Sequence, residues 1–176
     1  MMGEAIAAGD AIIGLPSSGL HTNGYSLARK IFGETKAALN TRYPELGRSI
    51  GEELLEPHRC YYQQLKPLLS AIKGMAHITG GGLTDNVPRI LPRKTRAEIK
   101  IGTWDIPEIF RFLQDRGDIS TEEMFRVFNM GVGMVLVVDP QSAGEILGRL
   151  REAGQRAFPI GTVQKGGQGV VYDLGS

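Results

Sequence analysis

The chain holds three histidines, His21, His58 and His77, and histidine is the side chain best suited to move a proton near neutral pH. His21 and His77 each border a place where an apolar run breaks into a glycine turn and a helical pattern begins. The first junction reads Ser17-Ser18-Gly19-Leu20-His21-Thr22-Asn23-Gly24-Tyr25-Ser26. A helix N-terminus exposes unpaired N–H groups and about half a positive charge, which suits a phosphate. Glycines let an oxyanion approach the backbone, and hydroxyls add neutral donors. Gly19 and Gly24 have the spacing of a P-loop, but Tyr25 stands where that loop requires lysine. A P-loop nucleotidase is thereby disfavoured, while oxyanion binding stays open beside a plain polar turn capped by Asn23 or Ser26.

The second junction is His77-Ile78-Thr79-Gly80-Gly81-Gly82-Leu83-Thr84-Asp85-Asn86. Three consecutive glycines cost conformational entropy that a simple turn does not require. The G-x-G-x-x-G spacing is missing, since Asp85 falls on the last glycine position, so a dinucleotide site is weakly supported. His77 ends a strand pattern, where side chains border a ligand crevice, and it also fits a core histidine bonded to backbone. A third cluster, Asn129-Met130-Gly131-Val132-Gly133-Met134, leads into a strand and reads as close packing or a bulge. Arg59 is either a phosphate ligand or a solvated helix arginine, and Cys60 reads as a packing thiol. No metal site is expected. The histidines lack H-x-x-x-H or H-E-x-x-H spacing, and Asp10, Asp85, Asp105 and Asp139 are isolated.

These groups need a scaffold. Residues 11–15 read as a strand and residues 25–39 as a helix, with a polar loop over residues 40–53. Pro57 is placed to open a second helix striped by Tyr61, Leu65, Leu68, Leu69 and Ile72, which Pro67 should kink or divide. Strands follow at residues 75–78, 97–101, 132–138, 157–163 and 169–172. Helices are expected at residues 83–91, at 107–116 with Gly117 as stop, at 121–128 behind a Ser120 or Thr121 cap, and at 141–153. Trp104 reads as a core or interface anchor. The alternation predicts an α/β (α+β) fold, a mixed β-sheet covered by helices, with residues 1–176 as a single domain.

Composition narrows the function classes. The 176 residues include 24 glycines, about twice ordinary usage, with 41% hydrophobic and 22% charged residues. Twenty basic and nineteen acidic residues leave a net charge of +1, which favours neither nucleic acid nor an anionic membrane as partner. The single cysteine excludes an intrachain disulfide and fits a cytoplasmic setting. No signal peptide or membrane span is read. The chain enters its first strand abruptly, which suggests a piece of something longer.

At both junctions the sequence resembles the phosphoribosylformylglycinamidine cyclo-ligase (aminoimidazole ribonucleotide synthetase) family. The likeness runs from Gly9-Asp10 and Ser17 through Leu27, then Leu54-Leu55-Glu56-Pro57, Ala76 through Leu83, Asn86 through Pro92, and Glu123 through Met134. It covers that family's C-terminal half. Where the family usually has Thr-Arg-Ile-Tyr-Val-Lys after the proline, this chain has His58-Arg59-Cys60-Tyr61-Tyr62-Gln63, so His58 lies outside the pattern and receives no catalytic role.

The resemblance implies ATP-dependent ring closure of formylglycinamidine ribonucleotide in purine biosynthesis. His21 and His77 would be the catalytic candidates. Ser17, Ser18, Gly19, Asn23, Gly24, Arg59, Thr79, Gly80, Gly81 and Gly82 would bind substrate or phosphate. It further implies a nucleotide substrate, a homodimer, and ATP and Mg2+ ligands mostly in an N-terminal half. The chain alone would then be inactive. Selenophosphate synthetase, thiamine phosphate kinase, a hydrogenase-maturation dehydratase and formylglycinamidine synthase share the superfamily and match less well. A non-catalytic ligand-binding or assembly module on the same fold is the alternative of a different class.

Overall fold

The computed structural model describes residues 3–174. Residues Ala11–Pro16 (β1) and Val132–Val138 (β6) are nearly continuous apolar runs, the pattern of strands covered on both faces. They pair antiparallel at the middle of a six-stranded sheet of order β4-β6-β1-β7-β5-β8. The other strands are Ile72–His77 (β4), Thr95–Lys100 (β5), Phe158–Lys165 (β7) and Gly169–Asp173 (β8). Only β5 and β8 pair parallel among the described strands, so the expected mixed sheet is present.

Alternation along the central strands divides the interior in two. Ile12, Val135 and Val137 face a large core with Phe110, Phe125 and Phe128, beneath Tyr25–Phe32 (α1), Glu108–Gly117 (α6) and Thr121–Val127 (α7). Ile13, Leu15, Leu136 and Val138 face a smaller core with Tyr61, Leu65, Leu68, Ile146 and Leu150, beneath Tyr62–Leu65 (α4) and Ala143–Glu152 (α8). Phe110 and Phe128 are fully buried, and each contributes roughly 1.5–3 kcal/mol by leaving water.

Several local expectations change. The helix foreseen over residues 25–39 divides at Gly33 (φ 83°) into α1 and Lys36–Asn40 (α2). The foreseen loop over residues 40–53 contains a hairpin, Arg42–Tyr43 (β2) and Arg48–Ser49 (β3), and a helix, Ile50–Leu54 (α3). A capping box starts α3, with Ser49 Oγ accepting from Glu52 N while the Glu52 carboxylate accepts from Ser49 N.

Pro57 does not open a helix. Residues 56–61 are irregular, α4 begins at Tyr62, and Ile72 belongs to β4 rather than to the helical stripe. Pro67 does divide this region, into α4 and the 3-10 turn Lys66–Ala71. The helix foreseen from residue 83 is Gly82–Asn86 (α5) followed by the 3-10 turn Val87–Ile90, where Pro88 ends α-helical bonding. Gly117 closes α6, but Asp118 takes the left-handed position after it (φ 47°). Trp104 is buried, with its indole N–H donating to Met130 O at 2.8 Å. Cys60 is exposed, which corrects its reading as a packing thiol.

Candidate functional site

Each junction leaves the sheet from the end of a strand that packing fixes, and each is tied by one buried asparagine. After β1, Ser17 N donates to Gly131 O (2.9 Å) and Ser17 Oγ donates to Asn129 Oδ1 (2.8 Å). Asn129 is wholly buried; its amide donates to Gly19 O (2.8 Å) and Leu20 O (3.1 Å), and its Oδ1 also accepts from Gly131 N (2.8 Å). The turn is thus folded around a side chain from the third glycine cluster. Sequence reasoning assigned that cluster to packing and missed Asn129. The available signal was a polar residue set between apolar Phe128 and Met130.

After β4 the same device recurs locally. Asn86 Nδ2 shares its two hydrogens among Thr79 O (3.1 Å), Gly80 O (3.2 Å) and Gly82 O (2.8 Å), while the Thr79 hydroxyl donates to Asn86 Oδ1 (3.1 Å). Asn23 bridges the junctions, its amide donating to Ile78 O at 3.3 Å, and its Oδ1 is buried without a partner. It does not cap α1: Gly24 is the N-cap, and no side chain bonds the first turn.

The glycines have distinct reasons. A Cβ on Gly24 (φ 72°) would lie 2.1 Å from the Phe128 ring, and one on Gly82 (φ 56°) would lie 2.0 Å from Phe125 O. Those two positions are dictated by packing and backbone conformation. Gly80 faces open space.

The three histidines meet on the smaller-core side of the sheet. His21 is buried and held at a positive φ of 58°, a conformation that L-residues seldom adopt. Its ring stacks on His58 with centroids 3.9 Å apart, and His58 Nε2 lies 3.0 Å from His77 Nε2. His21 Nε2 is 3.0 Å from Ser18 N and 3.1 Å from Ser18 Oγ, whose hydroxyl donates to Pro57 O at 2.7 Å.

Gly133 makes room for this, since a Cβ there would meet the Tyr61 hydroxyl at 2.1 Å and His21 Cε1 at 2.6 Å. The Tyr61 hydroxyl donates to Pro16 O at 2.9 Å, and burial raises its pKa. Burial lowers the His21 pKa to about 4, helped by the positive neighbours His58, His77 and Arg59, so its ring is neutral at pH 7. His77, exposed at the end of β4, is lowered too, by desolvation and then by His58.

A largely apolar groove of about 510 Å3 opens beside His58 and His77, lined also by Arg59, Tyr62, Leu65 and Met134. Of the foreseen site residues, the structure brings His21, Ser18, Arg59 and His77 to this region. Ser17 is consumed in the Asn129 network, and Gly24 packs on Phe128. His58 was set aside as outside the family pattern, yet it completes the cluster. Nothing in its local sequence signals that, because the contacts cross 37 and 19 residues of chain to His21 and His77.

A mixed sheet with buried central strands and glycine junctions at strand ends places the chain among α/β domains of one architecture. Solved structures share it. Thiamine-monophosphate kinase from Stenotrophomonas maltophilia superposes with a TM-score of 0.65 at 18% identity, covering 98% of this chain and 52% of that one. The hydrogenase maturation protein HypE gives a TM-score of 0.64 at 16% identity, covering 98% and 51%.

Residues 7–173 match the family model of the AIR synthase related protein, C-terminal domain, and the chain belongs to that family. It is 52% identical over 167 residues to a phosphoribosylformylglycinamidine cyclo-ligase of Geobacillus kaustophilus, covering 93% of this chain and 48% of the relative. It is 48% identical over 176 residues to the protein of that name from Bacillus subtilis, covering 97% and 50%. The chain therefore spans about half the length of the curated relatives it matches.

Proposed function

We propose that the chain is the C-terminal half of a cytoplasmic phosphoribosylformylglycinamidine cyclo-ligase, closing the imidazole ring of aminoimidazole ribonucleotide at the expense of ATP. The observation that carries this is identity of 48% and 52% to proteins of that name across nearly the whole chain, glycine junctions included. Nucleotide binding is also in keeping with a structural neighbour of the same fold, a thiamine monophosphate kinase described as complexed with AMPPCP and TMP (TM-score 0.60, 14% identity).

In this reaction ATP activates the formyl oxygen of formylglycinamidine ribonucleotide, the amidine nitrogen attacks the formyl carbon, and phosphate leaves as the ring closes. The chain's residues would bind and orient the ribonucleotide and handle the proton lost from nitrogen. His77 is the better proton acceptor, being exposed on the groove with its Nε2 beside that of His58. His21, neutral and buried, holds Ser18 and so shapes the first turn. The uncapped N-terminus of α1 and the Arg59 guanidinium offer donors to a phosphate.

Magnesium finds no fitting donor set in this half. Among the described residues the one convergence of three potential ligands is imidazole, whereas Mg2+ takes oxygen. Its ligands, with those of the adenine nucleotide and the homodimer contact, fall to an N-terminal half.

The test joins this chain behind the N-terminal half of the Bacillus subtilis relative and measures ATP-dependent ring closure. Turnover is expected, with kcat lowered about 10²–10⁴-fold by His77→Ala. An inactive fusion beside an active Bacillus subtilis enzyme defeats the functional reading. Full activity in both His21→Ala and His77→Ala defeats the site assignment alone.

A further inference from the structure

The three histidines arrive from separate parts of the chain: the turn after β1, the irregular segment before α4, and the end of β4. One ring nitrogen from each lies within 4.8 Å of the others, and the Nε2 atoms of His58 and His77 are 3.0 Å apart. Zinc binds imidazole nitrogen at about 2.0–2.1 Å, so nitrogens across a tetrahedral ion stand about 3.4 Å apart. His58 stacks on His21, with centroids 3.9 Å apart and planes 19° from parallel, so its ring must swing out of that stack to share an ion. Its exposed place on an irregular segment leaves it free to do so.

A second observation comes from His21, which is only 4% exposed and whose Nδ1 is buried with no partner. With the ring proton on Nδ1, Nε2 accepts from Ser18 N, and a buried N–H is left with no acceptor. With the proton on Nε2, the ring gives up the bond from Ser18 N and donates instead to Ser18 Oγ, which donates onward to Pro57 O. Ser18 is half-buried, so its N–H can turn to water. Nδ1 is then a bare lone pair in a ring fixed from behind, the arrangement usual for metal-bound histidine. Either tautomer leaves a buried polar atom unsatisfied, which costs stability unless something binds it. A cation satisfies the second.

We propose that His21, His58 and His77 form a binding site for one divalent first-row transition ion, Zn2+ in the first instance, with its remaining coordination position open to solvent. Three imidazoles suit zinc and its neighbours and do not suit Mg2+ or Ca2+. Arg59 is a cation that opposes this site; it is exposed, where solvent screens it. The absence of short H-x-x-x-H spacing does not exclude the site, because tertiary structure supplies the proximity that local spacing lacks. Metal binding does not require turnover, so the proposal is tested without the cyclo-ligase reading. A bound ion takes the lone pair of His77, so ring closure by the fused enzyme belongs to the form without that ion.

The experiment uses the untagged chain, stripped with a chelator and dialysed against Zn2+ alone, with metal content measured and Co2+ absorption as the geometric readout. One Zn2+ per chain is expected, with a chelator-reversible rise in Tm, tetrahedral-type Co2+ bands, and no displacement by excess Mg2+. His58→Ala should weaken binding at least about tenfold. Cys60→Ser should change nothing, which separates the histidine site from an adventitious exposed thiolate. Absence of stoichiometric uptake overturns the proposal. So does uptake that survives both His58→Ala and His77→Ala, or that is lost in Cys60→Ser. If a variant fails to fold by circular dichroism, the Cys60→Ser chain decides through stoichiometry and its Co2+ spectrum.

Discussion

The two glycine junctions share a plan and differ in how far they are satisfied. Each leaves a strand end, each has its carbonyls gathered by a buried asparagine, and each precedes a helix. In the second junction Asn86 answers the polar groups of the turn, and the Asp85 carboxylate sits against Gly81, a poor neighbour for an anion. The first junction keeps two buried polar atoms without partners, His21 Nδ1 and Asn23 Oδ1, and holds His21 at a positive φ. Buried polar groups are ordinarily paired, so unpaired ones mark where function has overridden stability. By that reasoning the turn of the first junction is the strained part of the site, and the second turn, residues 79–82, is the support that follows His77.

The sharpest way to break this contrast is at the backbone of the support. Gly82→Ala places a methyl group 2.0 Å from Phe125 O at a φ of 56°. Neither the carbonyl nor the dihedral can yield cheaply, so the loss should exceed about 4 kcal/mol, among the largest single-residue effects. Urea unfolding measures it, and a loss below about 1 kcal/mol would show that the turn is plastic. Next comes the pair of hubs. Asn129→Ala strands Ser17 Oγ, Gly131 N and the carbonyls of Gly19 and Leu20, and should cost about 3–4 kcal/mol by unfolding midpoint. Asn86→Ala lies nearer solvent and should cost less, about 2 kcal/mol. The reverse order would contradict the view that the first turn depends on its distant hub.

Most of the fold was legible in the chain. Strand β6 and the Ser120 cap stand where pattern and cap chemistry place them, because a short continuous apolar run and N-cap bonding are local physics. Residues 40–53 were misread, since the capping box of Ser49 and Glu52 lies within a polar stretch whose composition suggests a loop. The site was half legible. Histidine beside glycine flagged His21 and His77, but His58 and Asn129 act through contacts that no window of sequence contains. Glycine type alone also could not separate Gly82, forced by a carbonyl, from Gly80, which faces open space.

Protonation probes the first junction from another side. In chelator-containing buffer, His21 stays neutral in the folded chain down to about pH 4, while the unfolded chain takes up its proton near 6.5. A depressed folded pKa leaves stability intact above 6.5, and stability is lost as pH falls from there toward 4. The loss should reach about 3 kcal/mol at the lower end. Denaturation midpoints of wild type and His21→Gln measured from pH 7.5 to 4.5 test it. Parallel profiles would mean that the buried ring does not govern acid sensitivity.

The smallest expected effect on the fold is the most informative about binding. Gly80 has no neighbour within 4 Å of an added Cβ and no left-handed φ to preserve. Gly80→Ala should therefore leave stability unchanged or raise it by up to about 1 kcal/mol, by narrowing the unfolded ensemble. If the second turn only supports the first, ribonucleotide KM in the fused enzyme should also be unchanged. If a ligand packs on this backbone, the methyl group occupies its place, and KM rises while the unfolding midpoint does not fall. A rise of tenfold or more without loss of stability would make the second junction a binding element in its own right and end the contrast between site and support.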